Sequence, residues 1–454
     1  MTRPVMPPPD DGQFEELFAA AVREAARDGE GAELYERRGA ALEVSEDDDG
    51  ERVLVSRERG FALRLGRSGR TAFAAASPGA AAGLLETARR VLPRARTRRG
   101  SRTAPPVPGD VQSRCPAGTP PLPPEETARE LLAGFRRFLM ASGEGAVALL
   151  EATASLGERR ERVATTSGRD AAWPSGAASL VGTVVGRSGA GRFSARVVAT
   201  AARPEELPLA RLARYGADRV LLPLHGRPLD GTRRDLLLDS HVAAHFVGRL
   251  APLFLGDESD PLLAARTRDG RDPLAAPTVS LVDDAGATGG PVRTPRDAEG
   301  TPQRRHLVLE RGIPVSRLTD TTAAARRGAE SSGNAVRRAW SEPPVIGVTN
   351  FFVDPSAGLA PLELLSPVAK GLYAAVLLER PSVDVAADRF RLSVAGYLIE
   401  KGRASGRVSE AVVSGRISDL LRRIEAVGDD LRFVSGAGGG IGSPTLFVPR
   451  WKSE

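Results

Sequence analysis

No stretch of this 454-residue chain stays apolar for long: each apolar run is short and is broken by Arg, Gly or Pro. A bilayer-spanning helix needs ~20 continuous apolar residues, so none is expected. With 49 glycines and 35 prolines marking turns, the short apolar segments read as many short strands interleaved with few helices. Apolar residues at 41% and charged residues at 26% are those of a soluble globular protein. The length allows two or three domains with their own cores. The N-terminal Met1–Asp11 is rich in Pro and Asp and has no apolar h-region, so it is not a secretory signal. The one cysteine, Cys115, cannot form an internal disulfide. Both features fit a cytoplasmic protein.

The fold class expected is α+β: an N-terminal α/β region with antiparallel strands, then a β-rich, rolled or barrel-like C-terminal domain. Residues 1–12 read as a disordered tail and 13–95 as an α+β segment. Its first helix has Phe14, Leu17, Phe18, Ala21, Val22 and Ala25 at three- and four-residue spacing. Strands follow around the acidic turn Glu46–Gly50, then a hairpin over Gly60–Leu65 and Gly69–Ala74, then a helix over Gly79–Leu92. A Pro-rich loop or linker spans 96–124, in which a nucleophilic role for Cys115 has no charged or histidine neighbour to support it. A second α+β segment spans 125–218, opening with a helix over Glu125–Met140. The C-terminal domain spans 219–454, with short strands that include Leu362–Leu365 and a late helix over Ser418–Val427.

A formal charge of +6 raises the question of nucleic acid. All the cations but Lys370, Lys401 and Lys452 are arginine, and 57 acids are interspersed among the 63 basic residues. Aromatics are only 5%. Nucleic-acid binders cluster their cations or interleave them with aromatics, so nucleic acid is not the expected partner.

The helix-like stretch Leu236–Leu250 contains a helix with Asp239 or Ser240 as its N-cap, in which His241 and His245 are four apart and therefore on one face. Two readings stay open. The pair flanks the apolar stripe of Val242, Phe246, Val247 and Leu250 as ordinary helix side chains, or it binds metal. Zinc requires at least three protein ligands, and spacing marks no third one. A zinc peptidase also needs a glutamate after the first histidine to serve as base, and here that position is Val242. The glycine run Gly436–Gly442 lacks a Gly-Lys-Ser/Thr ending and reads as a loop, and Ser443 has no adjacent base. Asp283, Asp284, Asp297 and Glu299 lie in Gly/Pro-rich segments and are expected to be solvated.

An ordered series of segments resembles the TldD/PmbA family. It includes Gly270–Asp284, Asp297–Pro302 (similar to a D-x-E-G-T-P turn), Leu309–Gly312, Ser331–Arg338, Pro343–Asn350, Gly371–Tyr373 and Arg389–Glu400. Gly60–Arg64 and Thr166–Gly168 fit in the first half. The resemblance implies a metallopeptidase complex in which one subunit carries zinc on an H-E-x-x-x-H helix with a C-terminal cysteine. This chain departs from that pattern: its histidines are four apart, Val242 replaces the Glu, and Gly442–Thr445 stands where the Cys would be. Its ending is similar to the PmbA, or TldE, branch. The implied role is a catalytically silent subunit without its own metal, paired with a zinc-bearing TldD-type paralogue. The implied substrates are extended peptides: unfolded chains, leader peptides or peptide-like precursors. Gly300, Thr301, Pro302, Asn334, Gly442 and Ser443 are the implied groove residues. A self-sufficient metallohydrolase using His241 and His245, or a regulator of DNA gyrase, are the alternatives.

Overall fold

The structure, a computed structural model, describes residues 12–28, 31–67, 70–94, 118–143, 145–189, 191–229, 234–256, 273–436 and 438–452. Met1–Asp11, Cys115 with nearly all of the Pro-rich segment, and Gly270–Asp272 lie outside them. No helix among the described residues is long and apolar enough to cross a membrane.

The chain is α+β, as expected. One six-stranded antiparallel sheet, a half-barrel, dominates the first half. Its strands are β1 (Gly31–Asp47), β2 (Gly50–Arg67), β3 (Arg70–Ala76), β4 (Val147–Thr165), β5 (Asp170–Ser188) and β6 (Gly191–Ala201), in the order β3-β2-β1-β4-β5-β6. The segments on either side of the Pro-rich stretch thus supply three strands each to a single sheet. The strands are longer than the apolar alternation marks, because Arg and Glu side chains pair across them. In β1 every residue from Ala32 to Ala40 is buried, so both faces of that end are covered.

One face carries helices α1 (Gly12–Asp28) and α2 (Leu84–Val91), which close over Leu34, Phe61, Leu63 and Leu65. Farther along the sheet, α3 (Glu125–Ser142) and α4 (Leu209–His225) close over Leu42, Val44, Leu156 and Leu180. The opposite face at β1 holds Tyr35, Val163 and Trp173, joined by Trp340 from the second half. Trp340 lies flat on Gly60, where a Cβ would fall 2.1 Å from its ring. Only glycine allows that approach.

The second half contains two larger sheets. A six-stranded sheet runs through Ile313–Pro314, His306–Glu310, Leu281–Asp283, Asn350–Val353, Gly439–Ser443 and Arg432–Gly436. An eight-stranded sheet is built on Arg234–Leu238, Lys370–Leu377, Arg389–Glu400, Arg403–Arg416 and Leu446–Trp451. The largest core lies between them and includes Val242, Phe246, Phe254, Phe351, Phe390 and Leu420.

The late helix expected over Ser418–Val427 ends at Arg422, and Ala426–Val427 is a strand paired with Leu446–Phe447. Three further expectations change. The Gly436–Gly442 run is a hairpin, with Arg432–Gly436 pairing antiparallel to Gly439–Ser443, rather than a loop. Gly440 backs directly onto the Asn350 side chain, so glycine serves close sheet packing there. Leu362–Leu365 is not a strand. It belongs to the short helix Pro361–Leu365, with Pro361 in its first turn and Glu363 accepting a hydrogen bond from the Ala360 backbone N–H at 2.8 Å. Asp283, Asp297 and Glu299 are buried at 1%, 2% and 0% exposure instead of solvated.

Candidate functional site

Helix α5 (Ser240–Val247) starts where strand Arg234–Leu238 leaves the eight-stranded sheet. Asp239 caps it, its carboxylate accepting from the His241 backbone N–H at 2.9 Å. Val242, Ala243, Phe246 and Val247 are buried in the core between the two sheets. His241 and His245 leave on another face, toward α4. Their Nε2 atoms are 3.3 Å apart, so one imidazole donates and the other accepts. The Tyr215 ring of α4 stacks on His241 with centroids 3.8 Å apart.

Electrostatics keep both rings neutral. Burial, then the neighbouring His245, holds His241 well below the usual imidazole value. Burial, then Arg219 and Arg249, brings His245 down to about 4. Around the pair, Asp239 accepts from Tyr373 Oη at 2.6 Å and has Arg432 at 3.9 Å. Burial raises Asp239 above the ordinary carboxylate range. Burial also lifts Tyr215 to about 12. Tyr397 Oη donates to Asp218 at 2.9 Å, tying α4 to the eight-stranded sheet beside this site.

This donor set does not suit a zinc ion. The two imidazoles spend one lone pair on each other, the adjacent carboxylate is occupied, and the nearby charges that depress the histidines are arginines. Among the described residues, no three His, Cys, Asp or Glu side chains are grouped to hold a metal. His306 Nε2 lies 2.6 Å from the Ser332 carbonyl oxygen, and His225 Nδ1 is 3.3 Å from Arg407, so neither joins the pair.

The residues expected to line a groove fall in two other places. Gly300 and Thr301 are buried and Pro302 is half-buried, in the turn that locks the two halves together. The Asp297 carboxylate accepts from the backbone N–H groups of Glu299 (2.9 Å), Thr301 (2.8 Å) and Ala335 (3.1 Å). Gly300, at φ +76°, takes the left-handed conformation that lets the turn close against Arg169. Arg169 donates from Nη1 to the Glu299 carbonyl at 2.6 Å. Glu299 accepts from Arg64 of β2 at 2.7 Å and from Thr321 N–H and Oγ1 at 2.9 and 2.7 Å. Arg64 also pairs with Glu33, which accepts from Arg337 at 3.1 Å. Asn334 is buried nearby and donates to Asp283 at 2.6 Å.

Gly442 and Ser443 lie on the strand Gly439–Ser443, which packs against α5. Gly442 fits against the Phe433 and Phe352 side chains, and Ser443 Oγ donates to the Pro444 carbonyl at 2.8 Å. Tyr215, Arg219 and Arg432 escaped the sequence reading, and Tyr373 entered it only as part of the segment Gly371–Tyr373, with no role at this site. They come from three elements far apart in the chain, and only the i, i+4 spacing of Tyr215 and Arg219 on α4 carried any local signal.

Residues 231–453 match the family described as the PmbA/TldA metallopeptidase C-terminal domain. Relatives include the metalloprotease TldD homolog of Buchnera aphidicola (subsp. Acyrthosiphon pisum), 27% identical over 190 residues, 38% of each chain. The metalloprotease PmbA of Escherichia coli O157:H7 is 25% identical over 223 residues, 48% of this chain and 46% of that one. The chain thus spans less than half the length of these two relatives. In fold, it is similar to TldE from Thermococcus kodakarensis, with TM-score 0.80, 16% identity, and 96% and 99% of the two chains covered. A Thermotoga maritima protein described as a candidate modulator of a DNA gyrase gives TM-score 0.77 at 17% identity over 97% and 99%. These structural likenesses speak for the fold alone. Through residues 231–453 the chain carries the C-terminal domain of the TldD/PmbA family, and its relatives lie on both the TldD and PmbA sides.

Proposed function

We propose that this chain is the catalytically silent, TldE/PmbA-type subunit of a metallopeptidase, acting beside a zinc-bearing TldD-type paralogue on extended peptides. One observation carries the reading. The position after His241, where a zinc peptidase needs its base, is Val242, which is fully buried in the core. Valine offers no proton acceptor to a water held on the histidine face. General-base assistance of that kind contributes ~10²–10⁴-fold in rate, so hydrolysis by this chain alone lacks its proton acceptor. In this reading the chain supplies wall and rigidity to a shared cleft, and the partner supplies metal and base. No observation on the described residues favours a self-sufficient metallohydrolase or a gyrase regulator.

The test is to purify the chain alone, a TldD-type paralogue alone, and the two together, and to assay cleavage of an unfolded polypeptide. Turnover is expected only in the mixture, and His241→Ala with His245→Ala in this chain should leave at least half of it. Zinc-dependent turnover by this chain alone, abolished by those substitutions, would overturn the proposal.

A further inference from the structure

Between the two sheets of the second half lies an apolar cavity of about 420 Å³. Val247 and Leu250, at the end of α5, form one wall, on the side of the helix away from His241 and His245. Leu253, Phe254, Leu281, Leu309, Val353 and Ile424 complete its body. Protein interiors are close-packed and seldom leave voids much larger than a water molecule, whereas small-molecule sites are typically ~300–1,000 Å³. The sequence here provides aliphatic side chains of moderate size around open space.

The polar residues of the lining are few: the charged Asp388, Arg416 and Arg422, and Ser418. Asp388 sits in the left-handed region at φ +58°. There it accepts from the Ser418 backbone N–H (2.9 Å) and Oγ (2.6 Å), and from Arg416 at 3.3 Å. Arg416 and Asp388 therefore offset each other. Arg422, at the end of the short helix Ile417–Arg422, is exposed and makes no hydrogen bond or ion pair with another described residue. The cavity thus has an apolar body and one uncompensated cation at its rim.

We propose that this cavity binds a small monocarboxylate with an aliphatic body, the chain filling the space between the sheets and the carboxylate meeting Arg422. The ligand is a free small molecule in this proposal. The site is independent of the histidine pair and of the subunit role proposed above.

Calorimetric titration of the purified full chain with decanoate and with decanol, each below its micelle or solubility limit, tests it. Decanoate should bind at micromolar to submillimolar concentration and more tightly than decanol. Arg422→Ala should weaken decanoate at least tenfold and change decanol less than twofold. Ala275→Phe, which fills the cavity from its wall, should abolish both. Leu421→Trp at the rim is the second filling variant, used if Ala275→Phe does not fold. Absence of binding by the folded wild-type chain at 1 mM ligand would overturn the proposal. So would an unchanged decanoate-to-decanol preference in Arg422→Ala, or undiminished binding in a folded, cavity-filled variant. Binding of a peptide ending in Leu with a free carboxylate, without binding of decanoate, would overturn the small-molecule assignment in favour of a peptide subsite.

Discussion

Arg64→Ala should destabilise the chain more than any other single change at the junction of its halves. Arg64 is 16% exposed in its side chain and sits between two carboxylates, Glu33 and Glu299. Glu33 keeps Arg337 at 3.1 Å after the substitution. Glu299, with no exposed side-chain surface, keeps only the Thr321 donors and loses its cation. Removing one partner of a buried ion pair costs about 3–5 kcal/mol, and the stranded Glu299 places this case in the upper half of that range. The pH dependence has a defined sign. Burial pushes the Glu299 carboxyl up, but Arg64 and Thr321 outweigh burial and hold it below its usual value. A depressed carboxyl contributes stability above its unfolded value and loses it as pH falls. Without Arg64, burial dominates, the folded value rises above the unfolded one, and the variant regains stability between pH 7 and pH 5. Urea unfolding followed by tryptophan fluorescence suits the measurement, because Trp173 and Trp340 meet at this junction. Adding Glu299→Gln to Arg64→Ala should recover about 1–3 kcal/mol, since it removes the stranded charge. A loss below about 1 kcal/mol, or a deficit that grows at pH 5, would refute the claim that this network holds the halves together.

Two further outcomes follow from the histidine site. Tyr373→Phe leaves Asp239 short of its 2.6 Å donor in a buried position and should lower stability by about 1–3 kcal/mol in thermal or urea unfolding; a neutral result would show that Arg432 and the His241 N–H suffice. His245, held down to about 4 by burial and by Arg219 and Arg249, takes up its proton in the unfolded chain first as pH drops. Stability should therefore fall between pH 6.5 and 4, by at most about 1.4 kcal/mol per pH unit from this residue. The His245 ring resonances should stay in the neutral position at pH 5.5, and a midpoint near 6.5 would contradict the burial.

The sequence exposed what local pattern controls. The helix caps, the hairpin turns and the α5 stripe follow from residues close in the chain, and they were readable for that reason. The acids were misread by the same logic. Asp283, Asp297 and Glu299 sit among Gly and Pro, which normally mark solvated loops. What holds them there is a set of donors contributed by β2, the Thr321 turn and Ala335, between 22 and 235 positions away. Long-range pairing of that kind leaves no periodic trace. The glycine run was ambiguous for a related reason. Gly440 and Gly442 are glycine because Asn350, Pro291, Phe352 and Phe433 press on them from other strands, which a single sequence does not display.

Val242 shows how packing fixes the residue after His241. In α5 the residue after His241 turns about 100° away from the histidine face. It enters the core between the sheets, where Val242 has no exposed surface. A glutamate there would enter an apolar core, and burial of an unpaired carboxyl raises its titration by up to ~3–5 units, which at neutral pH costs at most about 4 kcal/mol because the carboxyl then takes up a proton. Val242→Glu would thus destabilise the helix. The histidine spacing, the neutral hydrogen-bonded imidazole pair and the buried valine are therefore one packing solution, in which the helix is held by its apolar face and by the stack of His241 on Tyr215.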